Sequence, residues 1–332
     1  MKKFIAFILA MVMMAMLCFV LTSCSDDEEG GEKQTVKITS LNANGEEFEN
    51  EVPYQPQRVA ILDYAVLDMM DNFGVGDRVV SSARTTIDYL SEYTEKMDAG
   101  TIVDLGNLQT YDMEKLQQSE PDIIFIGGRQ SKNYDELQKI APVVYLSCTA
   151  GQVVSDTLKN AKTVAAIFGI DESKVTELTA GFNARIEALK AVAQPEGEAA
   201  KTAMVLMYTS DKSIGALGSG GRCSIICDEL GFVNLYESNA DATHGESFSF
   251  ETIAKLNPDY LFVLNRGFIT SSGETSNASV VEVMTNSLTS GTTALQNGHL
   301  IVMDHPDTWY TAEGGISALD TMLADLERVL LP

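Results

Sequence analysis

Two arginines end two copies of one sequence unit. The stretch Glu114–Arg129 reads EKLQQSEPDIIFIGGR, and the stretch Glu251–Arg266 reads ETIAKLNPDYLFVLNR. Each copy has a glutamate, a Pro-Asp pair, an apolar run with Phe at its centre and a final arginine, all at one fixed offset. In open α/β sheets, ligands bind outside the carboxyl ends of the strands. We therefore predict that Arg129 and Arg266, each just past a strand, face one ligand.

Further polar side chains lie in loops that the same pattern places near strand ends. Arg222 follows the glycine-rich stretch GSGG, His244 lies in ATHGES, and Tyr310 lies in HPDTWYTAEGG. Tyr64 follows a strand-end Leu-Asp pair, and Trp309 is the only tryptophan of the chain. Three arginines with a histidine and a tyrosine around one cleft are typical of a receptor for a compact anion, because Arg has a permanent charge and several donors. Trp309 either stacks on that ligand or packs in the core.

Each of these residues also has a purely structural interpretation. A single histidine in a polar loop, such as His244, is more often solvated or locally hydrogen-bonded than a ligand. Tyr310 could serve as a core aromatic with a satisfied hydroxyl, and Arg222 could cap a carbonyl. We interpret His299 and His305 as structural. The two repeat arginines carry the prediction, since repetition and position coincide there.

Short apolar, β-branched runs alternate with helical patterns along the chain. Runs that are apolar on both faces and separated by helices indicate buried parallel strands in an α/β fold. The predicted strands are Val59–Leu62, Val79–Ser82, Ile123–Ile126, Val143–Leu146, Ala203–Tyr208, Tyr260–Leu264 and Leu300–Met303. Helices are predicted over Val66–Phe73 and Ile225–Leu230, each followed by a glycine. Before them, VKITSLNANGEEFENEVPY predicts a hairpin with an Asn-Gly turn.

One longer helical pattern lies midway between the two copies of the repeat. Asp171 is a predicted helix cap, apolar residues recur every three or four positions after it, and a Pro-Glu-Gly stretch ends the pattern. A helix over residues 171–194 would span about 33 Å at about 1.5 Å per residue. We interpret it as a rigid spine between two similar α/β lobes, residues 36–170 and 195–332. The alternative is a surface helix in one large domain.

The N-terminus has the features of a bacterial lipoprotein signal. Residues 1–23 start with Met-Lys-Lys, continue as an apolar run and end in Leu-Thr-Ser before Cys24, which is a lipobox pattern. A transmembrane anchor is the alternative. The acidic residues 24–35 cannot bury a core, however, and indicate a flexible tether. A diacylated Cys24 would hold the mature protein on a membrane, because two chains anchor far better than one.

Composition excludes one class of partner and argues against catalysis. The chain has 47 acidic and 23 basic residues, a formal net charge of −24, whereas nucleic-acid binding needs basic patches. Cys148, Cys223 and Cys227 form no disulfide framework or CxxC pattern, so we predict small buried thiols. The sequence has no Gly-x-Ser-x-Gly, Walker or His-Glu-x-x-His motif. A binding protein is favoured over an enzyme.

Five motifs, in order over most of the chain after about residue 55, carry a family resemblance. They are PQRVAILDYAVLDMMDNFGVGDRVV, IGGRQSKNYDEL, GSGGRCSIICDELGF, THGESFSFETIAKLNPDYLFVLNR and DTWYTAEGG. They resemble the siderophore-binding lipoproteins of ABC iron importers, in particular the branch that binds ferric catecholate siderophores such as petrobactin. The resemblance implies a class III periplasmic-binding-protein fold, with two lobes joined by one long helix.

The resemblance also implies roles for site residues. Arg129, Arg222 and Arg266 would contact catecholate oxygens. His244 and Tyr310 would complete the iron shell when a siderophore supplies only two catecholates. The chemistry agrees, since a phenolate is a hard oxygen ligand suited to Fe(III) and imidazole also suits iron.

The first residue of each repeat copy has two explanations. Glu114 and Glu251 each begin a predicted helix, where a carboxylate gains a few tenths to about 1 kcal/mol from the helix dipole. The family resemblance implies another role, in which one exposed glutamate per lobe docks onto arginines of the membrane permease. A duplicated position suits a receptor that straddles a two-fold permease.

Taken together, the residues and the resemblance predict a lipid-anchored, monomeric receptor for a ferric siderophore, with no permanent cofactor, working with an ABC permease and ATPase in the cell envelope. A haem or cobinamide receptor on the same fold is an alternative, although three anion-directed arginines favour the catecholate. A metal-dependent enzyme using His244 and Tyr310 is an alternative of another class, and it would need a carboxylate-rich site. Acidic residues after Cys24 also resemble surface-export signals, so a surface-exposed scavenger is a further alternative to periplasmic residence.

Overall fold

The computed structural model describes residues 34–209, 213–217, 221–236, 246–270 and 275–331. Within these residues, the strands form two β-sheets. The strands are β1 (Thr35–Leu41), β2 (Glu47–Pro53), β3 (Val59–Leu62), β4 (Val79–Ser82), β5 (Val103–Asp104), β6 (Ile123–Ile126), β7 (Val143–Tyr145), β8 (Thr202–Tyr208), β9 (Ile214–Leu217), β10 (Val233–Asn234), β11 (Glu246–Phe248), β12 (Tyr260–Asn265) and β13 (Leu300–Val302).

Helices cover the sheets and connect their strands. The α-helices are α1 (Tyr64–Asn72), α2 (Ser91–Asp98), α3 (Met113–Gln118), α4 (Tyr134–Leu137), α5 (Val153–Phe168), α6 (Glu172–Leu178), α7 (Phe182–Ala193), α8 (Phe250–Leu256), α9 (Arg266–Thr270), α10 (Asn277–Met284), α11 (Thr293–Gln296), α12 (Pro306–Thr311) and α13 (Ile316–Leu330). Short 3-10 turns cover Gly76–Arg78, Asp88–Leu90 and Gly128–Asn133, and a π-helical turn covers Ile225–Glu229.

The first sheet has the strand order β2-β1-β7-β6-β3-β4-β5. Strands β3 to β7 pair in parallel, whereas β1 and β2 form an antiparallel hairpin at one edge. The hairpin turn is organised by Asn42, whose side-chain oxygen accepts hydrogen bonds from the backbone N–H groups of Asn44 and Glu46. Gly45 has a positive φ of 77° there, which glycine adopts at little cost. The predicted hairpin with its Asn-Gly turn is confirmed.

The second sheet has the order β11-β9-β8-β12-β13. Strands β8, β12 and β13 are parallel, and β9 and β11 add antiparallel partners on one side. Along β12, the side chains of Tyr260, Phe262 and Leu264 enter one core cluster, and those of Leu261 and Val263 enter the other. Alternate residues point to opposite faces of a strand, so both faces of this sheet are buried. The predicted α/β fold class is confirmed.

The predicted spine helix over residues 171–194 is divided in the structure. Asp171 does cap a helix, since its side chain accepts a hydrogen bond from the N–H of Ser173. That helix, α6, ends at Leu178, and α7 starts after Gly181, which has a φ of +95°. The prediction of one continuous helix of about 33 Å was therefore wrong, because the left-handed backbone at Gly181 ends the regular turn.

The C-terminal helix links the two halves of the chain. The N–H groups of Ser317 and Ala318, in the first turn of α13, donate to the buried carboxylate of Asp68 in α1. One core cluster contains residues of both sheets, and the described residues from Thr35 onward form a single packed unit. The two-lobe division at residues 36–170 and 195–332 stays a prediction.

Two further predictions concern thiols and the N-terminus. Cys223 is buried, while Cys148 and Cys227 are half-buried, and all three are free thiols. The signal at residues 1–23, the lipobox Cys24 and nearly all of the tether lie outside the described residues. Within the described part, no helix is long and apolar enough to cross a membrane.

Candidate functional site

The repeated unit folds in the same way in both copies. Helix α3 is capped by Asp112, and α8 is capped by Ser249, each through side-chain bonds to backbone N–H groups of the first turn. Glu114 and Glu251 are the second residues of these helices, and both are exposed. The predicted helix starts are confirmed, and docking of the two glutamates onto a permease stays a prediction.

The Pro-Asp pair of each copy ties two neighbouring strands together. The Asp122 carboxylate accepts the N–H groups of Gln57 and Arg58 at 3.1 Å, just before β3. The Asp259 carboxylate accepts the N–H and the hydroxyl of Thr202 at 2.8 Å, at the start of β8. Each aspartate thus holds the backbone at or just before the start of the adjacent parallel strand.

Both repeat arginines reach one residue, Tyr310, which lies in α12. Arg129, from the turn after β6, donates from Nη2 to the backbone carbonyl of Tyr310 at 3.0 Å. Arg266, the first residue after β12, donates from Nε to the Tyr310 hydroxyl at 3.2 Å. The structure thus brings the two repeat arginines together on Tyr310, one on its carbonyl and one on its hydroxyl, and that they face one ligand stays a prediction.

The third predicted arginine completes this cluster. Arg222 donates from Nη1 to the same Tyr310 carbonyl, and its guanidinium carbon lies 4.0 Å from the centre of the tyrosine ring. The corresponding distances are 5.3 Å for Arg129 and 5.8 Å for Arg266. All three guanidinium groups are within cation–π range of one ring. We call Arg129, Arg222 and Arg266 the arginine cluster.

The arginine cluster concentrates positive charge in a partly buried place. Burial lowers the pKa of Arg222, and the neighbouring Arg129 cation lowers it further. The Nε atom of Arg222 is buried and has no hydrogen-bond partner among the described residues. An unsatisfied buried donor is costly, and like charges in proximity repel. A bound anion would relieve both, so this arrangement favours anionic ligands.

A cavity of about 390 Å³ opens beside the arginine cluster. Its lining combines cationic, amide, hydroxyl and apolar side chains. The lining residues are Tyr64, Arg84, Thr86, Asn107, Leu108, Gln109, Arg129, Arg266, Ile269, Tyr310 and Thr311. A larger space of about 500 Å³ lies between β1 and α5, but each of its three lysines already pairs with a glutamate. We place the ligand site where the charged groups converge.

Tyr64 lines this cavity as predicted, but its hydroxyl is already bonded. The hydroxyl donates to the backbone carbonyl of Arg84, and burial raises the pKa of Tyr64. Arg84 itself pairs with Asp98 and Asp104 at 2.8 Å. Tyr64 therefore contributes a neutral wall rather than a charge, and the polar residues Arg84, Asn107 and Gln109 are lining groups that the sequence reasoning missed.

Trp309 does not line the cavity. It is fully buried, and its indole Nε1 donates to the Asp325 carboxylate at 2.9 Å. Asp325 also accepts the N–H of His305 at 3.2 Å and bonds its Nδ1 at 2.8 Å. The stacking interpretation of Trp309 is not what the structure shows: the packing alternative holds, because the indole anchors α12 to α13. His305 has the structural role predicted for it.

The second histidine interpreted as structural also packs locally. The His299 ring stacks on Tyr260 with a centroid distance of 4.1 Å and an interplanar angle of 1°. Its Nδ1 lies 3.0 Å from the Asp259 carbonyl. His244, the proposed iron ligand, lies outside the described residues. Among the residues described, His, Cys, Asp and Glu form no group of three or more that could hold a metal ion.

Glu313 is a further residue near the site that the sequence reasoning missed. It follows Tyr310 within the motif DTWYTAEGG, so the signal was present, but a lone acid in a glycine-rich turn has no pattern of its own. Burial raises its pKa to about 7, against the lowering effect of the Arg222 cation. The carboxyl group is therefore close to its titration point at neutral pH.

Comparison with known proteins adds independent information. A family model described as periplasmic binding protein matches residues 59–306 of this chain. The chain is 32% identical to the petrobactin-binding protein YclQ of Bacillus subtilis over 98% of each chain. It is 28% identical to the ferric-anguibactin-binding protein FatB of Vibrio anguillarum over 82% of each chain.

Solved structures resemble the fold over nearly the whole chain. The crystal structure of YclQ from Bacillus subtilis aligns with a TM-score of 0.76, covering 90% of this chain and 99% of that chain. The periplasmic catecholate-siderophore binding protein VctP of Vibrio cholerae also aligns with a TM-score of 0.76, at 28% identity, covering 88% of this chain and 100% of that chain.

Proposed function

This chain belongs to the periplasmic binding protein family, and we propose that it captures a ferric siderophore of the catecholate type for an ABC importer. Members of the family are substrate-binding proteins rather than enzymes. The observation that carries the proposal is the arginine cluster, in which residues from both sheets converge on Tyr310 beside a cavity of about 390 Å³. The relatives support the same proposal, because they are proteins that bind petrobactin, ferric anguibactin and catecholate siderophores.

The charge of the ligand explains the choice of arginine. Ferric catecholates carry several negative charges, and each guanidinium offers a fixed fork of donors with a permanent charge. A close pair contributes about 4 kcal/mol of Coulomb energy at an effective dielectric constant of about 20, partly offset by desolvation. The arginine cluster therefore selects the sign of the ligand. The remaining lining, with Asn107, Gln109 and Leu108, has the capacity to distinguish one catecholate from another.

Tyr310 and His244 are proposed as iron ligands for a siderophore that supplies only two catecholates. Arg266 already donates to the Tyr310 hydroxyl oxygen, the atom that would coordinate iron. Tyr310 is only 7% exposed, so direct coordination needs the ligand to enter the cavity rather than rest at its mouth.

Delivery requires an anchor and a docking surface. Cys24 is proposed as the lipidated residue of a monomeric protein held at the cell envelope, and Glu114 and Glu251 as the groups that meet the permease. For the anchor, Cys24→Ala should move the protein from the membrane pellet to the soluble fraction. Retention of that variant in the pellet would contradict lipidation at this position.

A haem or cobinamide receptor is the alternative on this fold. The test is a titration of the protein with ferric bis-catecholate, ferric tris-catecholate, ferric citrate, haem and cobinamide, read by quenching of Trp309 and tyrosine fluorescence. We expect saturable quenching by the catecholates at the lowest concentrations. Tighter binding of haem or cobinamide than of either catecholate would overturn the proposal.

A further inference from the structure

Arg84 is a further arginine in the lining of the cavity beside the arginine cluster. It follows β4 by two residues, so it lies at the carboxyl edge of the first sheet, where ligands of open α/β sheets bind. Its guanidinium group already pairs with two carboxylates of the protein, those of Asp98 and Asp104. A cation that the protein itself balances attracts a further anion weakly, so Arg84 needs a different role from the arginine cluster.

The two carboxylates fix the orientation of the guanidinium group. Arg84 donates from Nε to Asp104 Oδ2 at 2.9 Å, and its Nη2 lies 2.8 Å from both Asp98 Oδ1 and Asp104 Oδ2. Asp104 is held in turn, because its Oδ1 accepts the N–H of Gly106 at 2.8 Å. Neither aspartate lines the cavity. Nη1 of Arg84 has no hydrogen-bond partner among the described residues, so its N–H donors remain for a ligand.

The backbone that carries Arg84 is held from several sides. The N–H of Arg84 donates to the Gly106 carbonyl at 2.7 Å, and its carbonyl accepts the Tyr64 hydroxyl. Two residues on, the Thr86 hydroxyl donates to the Asp307 carboxylate at 3.3 Å, which ties this segment to α12. With backbone and guanidinium both fixed, the free donors are preorganised, and a ligand that accepts from them loses little affinity to ordering of the side chain.

The formal charges around Arg84 cancel. One guanidinium stands against two carboxylates, and the Lys115 ammonium, whose Nζ lies 3.3 Å from the Asp104 carbonyl, adds the second positive charge. Arg129 and Arg222, by contrast, form no salt bridge with a carboxylate among the residues that the structure describes. The site therefore combines arginines that attract an anion with one arginine that offers directional donors at little net charge.

We propose that Arg84 is a specificity-determining residue, which donates from Nη1 to a neutral oxygen of the siderophore, such as an amide carbonyl in the linker between its catechol groups. The inference rests on the proposed function and adds a second point of recognition to it. The arginine cluster binds the anionic ferric centre, and Arg84 binds the linker. A neutral acceptor suits Arg84, because its donors have a fixed geometry while its charge is compensated by the two aspartates.

The experiment uses two linear bis-catecholates of equal length. One has a central amide group in its linker, and in the other two methylene groups replace that amide. Their ferric complexes have the same coordination and the same charge. Fluorescence titration of the full mature chain gives the affinity for each complex, and the ratio of the two affinities is compared between the wild type and Arg84→Met. Differences in hydration between the two ligands cancel in this comparison, because both proteins meet the same pair.

Arg84→Met should reduce the ratio by about tenfold, through weaker binding of the amide complex, and should leave the affinity for the methylene complex within about twofold of wild type. Arg84→Lys should behave in the same way, because one ammonium cannot pair with both aspartates and also donate along the Nη1 direction. Arg129→Met is the matched control: it should weaken both complexes by the same factor and leave the ratio unchanged.

The ratio is measured on one preparation of each variant, so a fraction of unfolded protein lowers both signals and does not change it. An unchanged ratio in Arg84→Met, or equal losses for both complexes, would overturn the inference and leave the proposed function intact. A wild-type ratio in Arg84→Lys would also overturn it, since charge rather than fixed donors would then be recognised. Absence of binding of either complex by the wild type would instead overturn the proposed function, and this inference with it.

Discussion

The two copies of the repeated unit share their first half and differ in their second. In both, a side chain caps the helix, and an aspartate after proline holds the start of the neighbouring strand. Glu120 and Asn257, which stand at the same place in the two copies, both have positive φ values, 44° and 49°. The common half thus reproduces even an unusual backbone conformation, because it performs the same task in each sheet.

The second halves lead to their arginines differently. After β6 the chain passes through Gly127 and Gly128, and a Cβ at Gly127 would lie 2.1 Å from the Asp63 carboxylate. The last residue of β12 is Asn265, whose amide donates to the Thr275 carbonyl at 2.8 Å and whose oxygen accepts the N–H of Phe268 at 3.1 Å. One copy makes room for a neighbouring helix cap, and the other organises its own following helix.

This difference decides which part of Tyr310 each arginine meets. Arg129 bonds the backbone carbonyl, and Arg266 bonds the hydroxyl. A duplicated unit therefore supplies two arginines at equivalent strand ends, and the different residues just before them accompany different contacts with Tyr310. Arg222 comes from outside the repeat and joins Arg129 on the carbonyl.

The largest expected effect tests what the copies share. Arg129→Ala and Arg266→Ala together should weaken binding of a ferric bis-catecholate by more than about 100-fold, because each charged hydrogen bond contributes about 1.5–3 kcal/mol. Fluorescence titration gives the affinities. Arg78→Ala, on the surface beside Asp77, should leave affinity unchanged. If the affinity of the double variant lies within about threefold of the wild-type affinity, the arginine cluster does not bind the ligand.

The next effect tests what the copies do not share. Gly127→Ala should destabilise the protein by about 1–3 kcal/mol, because the new methyl group displaces the Asp63 carboxylate that caps α1. The midpoint of thermal unfolding measures this. Gly291→Ala is the matched control, since a Cβ there meets nothing within 4 Å. Equal midpoints for the two variants would mean that the turn after β6 adjusts freely.

A smaller effect concerns Tyr310, the residue that the arginines of both copies contact. His244→Ala with Tyr310→Phe should weaken binding of a tetradentate bis-catecholate complex by tenfold or more, at least about 1.4 kcal/mol. A hexadentate tris-catecholate leaves no coordination position open, so its binding should change much less. The visible charge-transfer band should shift when wild type binds the tetradentate complex, and not with the variant. Equal losses for both complexes would make the two residues wall groups rather than iron ligands.

The smallest effect on binding is expected at the other end of the repeat. Glu114→Ala with Glu251→Ala should leave siderophore affinity unchanged, because both side chains are exposed on helix starts. Uptake of radiolabelled iron by cells should nevertheless decrease. Normal uptake by the double variant would leave only the helix-dipole explanation of these residues.

The elements of the fold were largely predictable from the sequence. Strands β3, β4 and β6 coincide with their predicted bounds, and β12 begins where predicted and extends one residue further. Their apolar, β-branched runs are buried on both faces, so burial of apolar side chains explains both the sequence pattern and the strand. The helix cap Asp171 and the turn of the first hairpin were also predictable, because both are local features of the sequence. The division of the spine helix at Gly181 was not predicted, because apolar spacing continues across a break of three residues.

The sequence by itself determined that this chain is an α/β protein with two arginines at equivalent strand ends, since periodicity, capping and repetition are local properties. Only the tertiary structure decided that these arginines meet on Tyr310, which is 181 residues from Arg129. It also decided that the Trp309 indole turns to Asp325. Such contacts depend on how the sheets and α12 pack against each other, and no spacing along the chain records that packing.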